Sequence, residues 1–428
     1  MKSAFAAVVA AHLAGVNAAP IETSDASESS ATSSASTFSL GQIQNDAFAP
    51  IDGPSAMIRA HMKYAGKLPD SLTNAIEINP TLNERFHMFL PQEEDKQTGS
   101  AVAYPAPWYD TEYVVPVKIG TPPQVTYLNL DTGSSDFWAF TTDTYQPTVF
   151  GQVLYDPEAS NTSHRLNGQS WSIRYGDGAY AAGIVYKDRV RVGGASVDDQ
   201  AVQSAIQVSS SISQDSFSSG IIGMARTNGN TVRPDPQKTF LENVLPSLED
   251  RVFTSNLQKG RPGNYDFGYI NKTQYTGDIH YLDARKNSTF WHIDVPGYQV
   301  GKNGTQQNTT WNSIVDTGTT LLLVPSSIVN AYYTQVSGAG WDMFTGMIIF
   351  PCESDLPDFY FTIGPHKGRV PGSYINYGNV DPTYCFGGIQ SSEGIPFAVM
   401  GDVLLKAQFV VFDSGENRVG FANKPVVE

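Results

Sequence analysis

Four residues, Asp131-Thr132-Gly133-Ser134, return 185 positions later as Asp316-Thr317-Gly318-Thr319. Their surroundings return with them. Apolar-rich residues lead into each copy (Val125 to Leu130; Ile314 and Val315), and an apolar pair ending in glycine follows each (Ile221-Ile222-Gly223; Val399-Met400-Gly401). At ordinary residue frequencies, one Asp-Thr-Gly-Ser/Thr match arises by chance in a chain this long roughly one time in a hundred. Two with matching flanks indicate a duplicated strand–loop unit, and a fold that brings two acidic loops to one two-carboxylate site.

Around this repeat the chain reads as β-rich. Glycine (38) and proline (26) are frequent and only 16% of residues are charged, which suits a large β-rich globular protein better than a disordered one. Strand-like runs separated by turns cover Tyr113 to Ile119, Val125 to Leu130, Ser170 to Arg174, Gly183 to Val192, Phe290 to Val295 and Gln408 to Phe412. The helical signals are short, the best being Lys238 to Leu248 and Ser326 to Val336. The expectation is an all-β architecture of two lobes, one carboxylate from each, with a cleft between them.

On these motifs, from about Tyr113 to Ala422, the chain resembles the pepsin-type aspartic endopeptidases, and among them the secreted fungal enzymes of the penicillopepsin and aspergillopepsin type. The resemblance implies that Asp131 and Asp316 share a proton and activate water for peptide hydrolysis, with no cofactor and no metal. It implies that Gly133 and Gly318 keep the loops tight, that Ser134 and Thr319 bond the outer carboxylate oxygens, and that Thr132 and Thr317 cross-link the loops. Tyr175-Gly176-Asp177-Gly178 reads as a hairpin tip. In the family this hairpin is a flap over the substrate; Tyr175 matches its tip tyrosine, and Trp138 the tryptophan that bonds it. Asp177 matches a flap acid that in some fungal members receives a basic side chain, but Ala179 stands where those members carry serine. Mainly apolar residues are therefore expected on both sides of the cleaved bond. The resemblance also implies protein and peptide substrates, a monomer, and inhibition by statine-type compounds.

The amino-terminal hundred residues have a different character. Met1 to Ala19 carries one early lysine, an apolar middle and a small-residue exit, as a secretory signal does. Residues 20–97 are expected to be an activation segment, beginning with a Ser/Ala/Thr-rich leader to about residue 37. Between Met57 and Lys67 stand Arg59, His61, Lys63 and Lys67 with no acid. Such a run is either one face of a solvated amphipathic helix or, by resemblance to the family's zymogens, an inhibitory segment in which Lys63-Tyr64 lie in the active cleft. A lysine ammonium between two carboxylates would hold both ionised and block substrate. The charged, turn-prone run Glu93 to Gly99 suits maturation near residues 97–101. The lobes are then expected at 98–290, with Asp131 and the flap, and 291–428, with Asp316.

The remaining features set the context. A net charge of −15 leaves no basic stripe for nucleic acid, and no segment after the signal approaches the roughly 20 apolar residues of a membrane span. No apolar tail follows Phe421, which argues against a lipid anchor. The expected destination is extracellular, with a vacuole as the less favoured alternative. In a secreted chain, Cys352 and Cys385 are expected to form one bridge, contributing roughly 3–4 kcal/mol on the chain-entropy estimate. Asn-x-Ser/Thr sequons at Asn161, Asn271, Asn287, Asn303 and Asn308 are candidate glycosylation sites.

Rival chemistries have less behind them. Gly176 to Ala181 fits a loose dinucleotide pattern, but a strand is expected after it, where a phosphate site needs a helix. The seven histidines form no HExxH pair, and no GxSxG elbow occurs. A carboxylate-pair glycosidase remains a rival in the abstract, although symmetric Asp-Thr-Gly loops favour a close, proton-sharing pair. A peptide-binding homologue without activity would be expected to have lost an aspartate, a loop glycine or the flap tyrosine, and none is lost.

Overall fold

The structure is a computed structural model that describes residues 38–41, 43–44, 53–65, 68–79, 112–175 and 178–427. The signal stretch 1–19, the leader to residue 37, the run 93–99 with its maturation region, and Gly176 and Asp177 at the hairpin tip lie outside them. So does the side chain of Lys63.

The duplication seen in the sequence is a duplication of topology. In the first half, Gln124–Asp131 runs parallel to Gly220–Gly223. That strand lies antiparallel to Phe137–Phe140, which pairs in parallel with Ala195–Val208. In the second half, Trp311–Val315 runs parallel to Ala398–Met400. That strand lies antiparallel to Leu322–Val324, which pairs in parallel with Ile389–Ser391. In both, the strand ending in the apolar pair and glycine is threaded between the strand entering the acidic loop and the strand leaving it. A strand covered on both sides must be apolar, which is why Ile222, Val399 and Met400 are fully buried.

The first unit belongs to an eight-stranded sheet extended by Tyr113–Ile119, Tyr180–Val192 and His164–Arg174. The second belongs to a five-stranded sheet, with a three- and a four-stranded sheet beside it. A six-stranded sheet takes strands from both halves of the chain, because Val252–Asn256, beyond the first unit, pairs with Gln408–Asp413, beyond the second. Phe253 stacks on Phe412 there at 4.4 Å, and Trp291 packs edge-on against both. The backbone of residues 38–41 joins this sheet at its edge, paired with Asn264–Phe267.

Cys352 and Cys385 are bridged, their Cα atoms 5.0 Å apart. Of the expected helices, the first is Phe240–Val244 continued by a 3-10 turn, its amino end capped by the Thr239 hydroxyl accepting from the Glu242 amide. The second is Ser326–Tyr333. Two further helices, Gly53–Ala65 and Asp70–Ile78, lie in the amino-terminal segment. The first buries Ala56, Met57, Ile58, Ala60 and His61, while the side chains of Arg59 and Lys63 and all of Lys67 lie outside the described residues.

Candidate active site

Asp131 closes its strand and Asp316 follows directly on the matching one, so each carboxylate leaves the end of a buried strand. Each loop turns back on its own aspartate. The Gly133 amide donates to Asp131 Oδ1 at 2.8 Å, and the Gly318 amide to Asp316 Oδ1 at 2.9 Å. Both aspartates are at most 2% exposed.

The loops are tied across the halves by a reciprocal bond set. The Thr132 amide donates to Thr317 Oγ1 at 3.1 Å, and the Thr317 amide to Thr132 Oγ1 at 3.0 Å. Each hydroxyl then donates onward into the other half, Thr132 to the Val315 carbonyl at 2.8 Å and Thr317 to the Leu130 carbonyl at 2.6 Å. Buried backbone groups are costly to leave unmet, and here neither loop is satisfied without the other.

The glycines are required by closeness. A Cβ on Gly318 would lie 2.2 Å from Asp131 Oδ1, and one on Gly133 would lie 2.4 Å from Asp316 Oδ1. Each loop therefore presses its bare backbone against the opposite carboxylate, and the two carboxyls occupy one site. On the outer side the halves differ. The Thr319 hydroxyl donates to Asp316 Oδ2, whereas Ser134 Oγ is buried with no hydrogen-bond partner among the described residues.

The hairpin strands Ser170 to Arg174 and Tyr180 to Ile184 are paired, and Tyr175 stands at their end. Trp138 Nε1 donates to the Tyr175 hydroxyl at 2.6 Å, while its ring stacks on Trp171. The strand Tyr180–Val192 follows the hairpin directly, where a phosphate site would need a helix. A cavity of about 230 Å³ runs from Tyr175 and Trp138 past Asp131 to Thr319, and Ala56 and Ala60 of the amino-terminal helix wall it.

That helix ends on Asp316. The Tyr64 hydroxyl donates to Asp316 Oδ2, and the Tyr64 ring packs edge-on against Phe290 at 5.6 Å and Phe397 at 5.2 Å. Sequence reading missed Phe290, Phe397 and the adjoining His292, because no motif marks an aromatic wall assembled from residues a hundred positions apart. The nearest available signal was Phe290 opening a predicted strand.

Asp136, five residues beyond Asp131, is fully buried. Its Oδ1 accepts from Gln203, from the Asn230 amide group and from the amide and hydroxyl of Thr231, but Oδ2 has no partner among the described residues. Burial pushes its carboxyl above the ordinary range, against the pull of those bonds. A raised folded-state value stabilises the fold fully below the unfolded value of about 3.9 and loses that contribution as pH rises through the folded value. Asp136→Asn is therefore expected to melt higher than wild type at pH 7 and level with it at pH 3. A thermal-melt difference that does not shrink in acid would count against this assignment.

The chain matches the family model described as eukaryotic aspartyl protease over residues 112–424. It is 44% identical over 380 residues to podosporapepsin of Podospora anserina, covering 87% of each chain. It is 46% identical over 341 residues to an aspergillopepsin-1 of Aspergillus pseudoglaucus, covering 79% of this chain and 86% of that one. In fold it is similar to the crystal structure of an aspartic proteinase from Irpex lacteus, with a TM-score of 0.61 at 22% identity, covering 73% of this chain and 94% of that one.

Proposed function

This chain belongs to the eukaryotic aspartyl protease family and is an aspartic endopeptidase of proteins and peptides; from that premise we propose that Asp131 and Asp316 are its catalytic pair, and that it is made as a zymogen and secreted. The observation that carries the pairing is the contact of each loop glycine with the opposite carboxylate. Two carboxyls held that close cannot easily both ionise, the behaviour established for such dyads in general. The ionised member takes a proton from water, which attacks the peptide carbonyl, and the protonated member polarises that carbonyl. Tyr175, braced by Trp138, closes over the bound strand and excludes solvent.

The zymogen reading is supported by the helix Gly53–Ala65, which lines the cleft with Ala56 and Ala60 and sets Tyr64 on Asp316. Its removal from the cleft, by cleavage near residues 97–101, frees the dyad. The seat of the Tyr64 ring also bears on specificity. Phe290 and Phe397 form an aromatic wall beside Asp316 that suits a large apolar or aromatic side chain next to the cleaved bond. Extracellular destination rests on the amino-terminal signal stretch. Asn161, Asn287, Asn303 and Asn308 are exposed, as glycan acceptors must be, while Asn271 is half-buried.

The test is cleavage of an unfolded protein at about pH 3.5 and about pH 7, each with and without a statine-type inhibitor. Inhibitor-sensitive cleavage in acid that fades at neutral pH is expected, as the dyad loses its shared proton. A kcat/KM unchanged from acid to pH 7 would falsify the shared-proton mechanism.

A further inference from the structure

One side chain reaches the main chain beside both acidic loops. Trp291 stands just before the strand His292–Val295 and is 2% exposed. Its carbonyl accepts from the amide of Val315, the residue before Asp316, at 3.1 Å. Its indole Nε1 donates to the Met224 carbonyl at 3.1 Å, and the Met224 amide donates to the Asp131 carbonyl at 2.8 Å. Trp291 thus grips the second half next to its aspartate and the first half through one fully buried residue. The ring itself is held by Phe253 and Phe412, packed edge-on against it, and by the Arg226 guanidinium, 5.3 Å from its centre. Arg226 in turn donates to Asn417 through its side chain and to the Thr289 carbonyl through its amide.

We propose that Trp291, braced by Arg226, is a positioning residue: a rigid strut that fixes the angle at which the Asp131 loop meets Asp316. This rests on the reading of Asp131 and Asp316 as the catalytic pair. The threonine bonds join loop to loop through Thr132 and Thr317. Trp291 adds an attachment between other residues, Val315 and Met224, and two attachments fix an angle that one leaves free. The indole suits the task because it is flat and carries a single N–H donor, which is used here. A buried tryptophan with its N–H satisfied is most often only a core residue. Trp171 is such a case, since its N–H serves the Ile184 and Ser204 carbonyls within the first half. What distinguishes Trp291 is that its two bonds end on different halves, each close to an aspartate. Without the indole N–H, the Met224 carbonyl loses its donor and the Asp131 loop is free to tilt. Carboxyls that tilt apart couple less strongly, so the two proton affinities of the pair draw together and both limbs of the kcat/KM profile move inward.

The test compares the processed enzyme with Trp291→Phe, which keeps a buried ring and removes the N–H, and with Arg226→Gln, which leaves the indole bond and removes the cation over the ring. Trp311→Phe is the control for trimming a buried tryptophan, because Trp311 Nε1 serves the Gly297 carbonyl within the second half, at 3.5 Å. On a short peptide substrate, Trp291→Phe is expected to lower kcat about tenfold with KM unchanged, as a small displacement at a reacting centre does, and to narrow the pH profile of kcat/KM from both sides. Arg226→Gln is expected to act in the same direction, by about threefold in kcat. Trp311→Phe is expected to lower the thermal melt without narrowing the profile. If Trp291→Phe, or Arg226→Gln should the first variant fail to fold, matches Trp311→Phe in kcat and in both pH limbs, Trp291 is a core residue only and the proposal is overturned. The reading of the pair fails separately, if Asp131→Asn or Asp316→Asn retains full activity.

Discussion

Asp131→Asn and Asp316→Asn are each expected to lower kcat/KM in acid by about 10²–10⁴-fold, the span covered by a positioned acid or base, and to fall near its upper end. Asparagine keeps the shape and still accepts the Gly133 or Gly318 amide through Oδ1, so the loop geometry survives. What it removes is the exchangeable proton that the proposed pair would hold in common. The double variant should lose little more than either single one, because a dyad with one member gone has already lost its function as a unit. Measured in chains with unchanged thermal melts, a single variant retaining a tenth of wild-type activity would put the chemistry elsewhere, and additive losses would deny the pairing.

Gly318→Ala is expected to do comparable damage through sterics alone. The added methyl would stand 2.2 Å from Asp131 Oδ1 and 2.4 Å from its Cγ, far inside contact distance. Either the loop retreats or the carboxylate turns, and Asp131 is buried and held by the Gly133 amide, with little room to give. Overpacking of this kind costs about 1–3 kcal/mol in stability, and a misplacement of about 1 Å at a reacting centre costs about 10²-fold in rate. Gly340→Ala is the control, since nothing lies within 4 Å of its Cβ position. Equal behaviour of the two variants in kcat and thermal melt would remove the close-approach argument.

The paired acidic loops were legible in the sequence because each is local and the pattern is repeated. A four-residue loop with its own glycine carries its geometry wherever the fold places it, and a second copy declares the partner. The strands most clearly foreseen, Tyr113–Ile119 and Gln408–Asp413, carry dense β-branched and aromatic residues. Phe137–Phe140 and Leu322–Val324 were not foreseen, although they complete each unit, because three or four buried apolar residues have no periodicity to read. The glycines do more than turn the loops tightly: each also comes close to the opposite carboxylate, which no sequence motif announces. The mismatch between Ser134 and Thr319 lay outside any motif, because it depends on where each hydroxyl ends up. The basic stretch around Lys63 allowed two readings, and only its neighbours decide between them. A helix face is solvated or buried according to what lies opposite, and Phe290 and Phe397 are hundreds of positions away.

The reciprocal bonding of Thr132 and Thr317 has the self-complementary form of a two-fold interface, in which residue i of one partner meets j of the other and j meets i. Two identical half-chains meeting about an axis would satisfy it as well as one tandem chain does. What covalent linkage adds is licence for the halves to diverge, and they have done so. Serine faces threonine at 134 and 319, Met224 answers Asp402 after the paired glycines, and the hairpin bearing Tyr175 belongs to the first half. The symmetry fixes where two carboxylates meet; its breaking gives each of them different surroundings, so that an asymmetric chain laid across the pair would not meet the same groups in both directions.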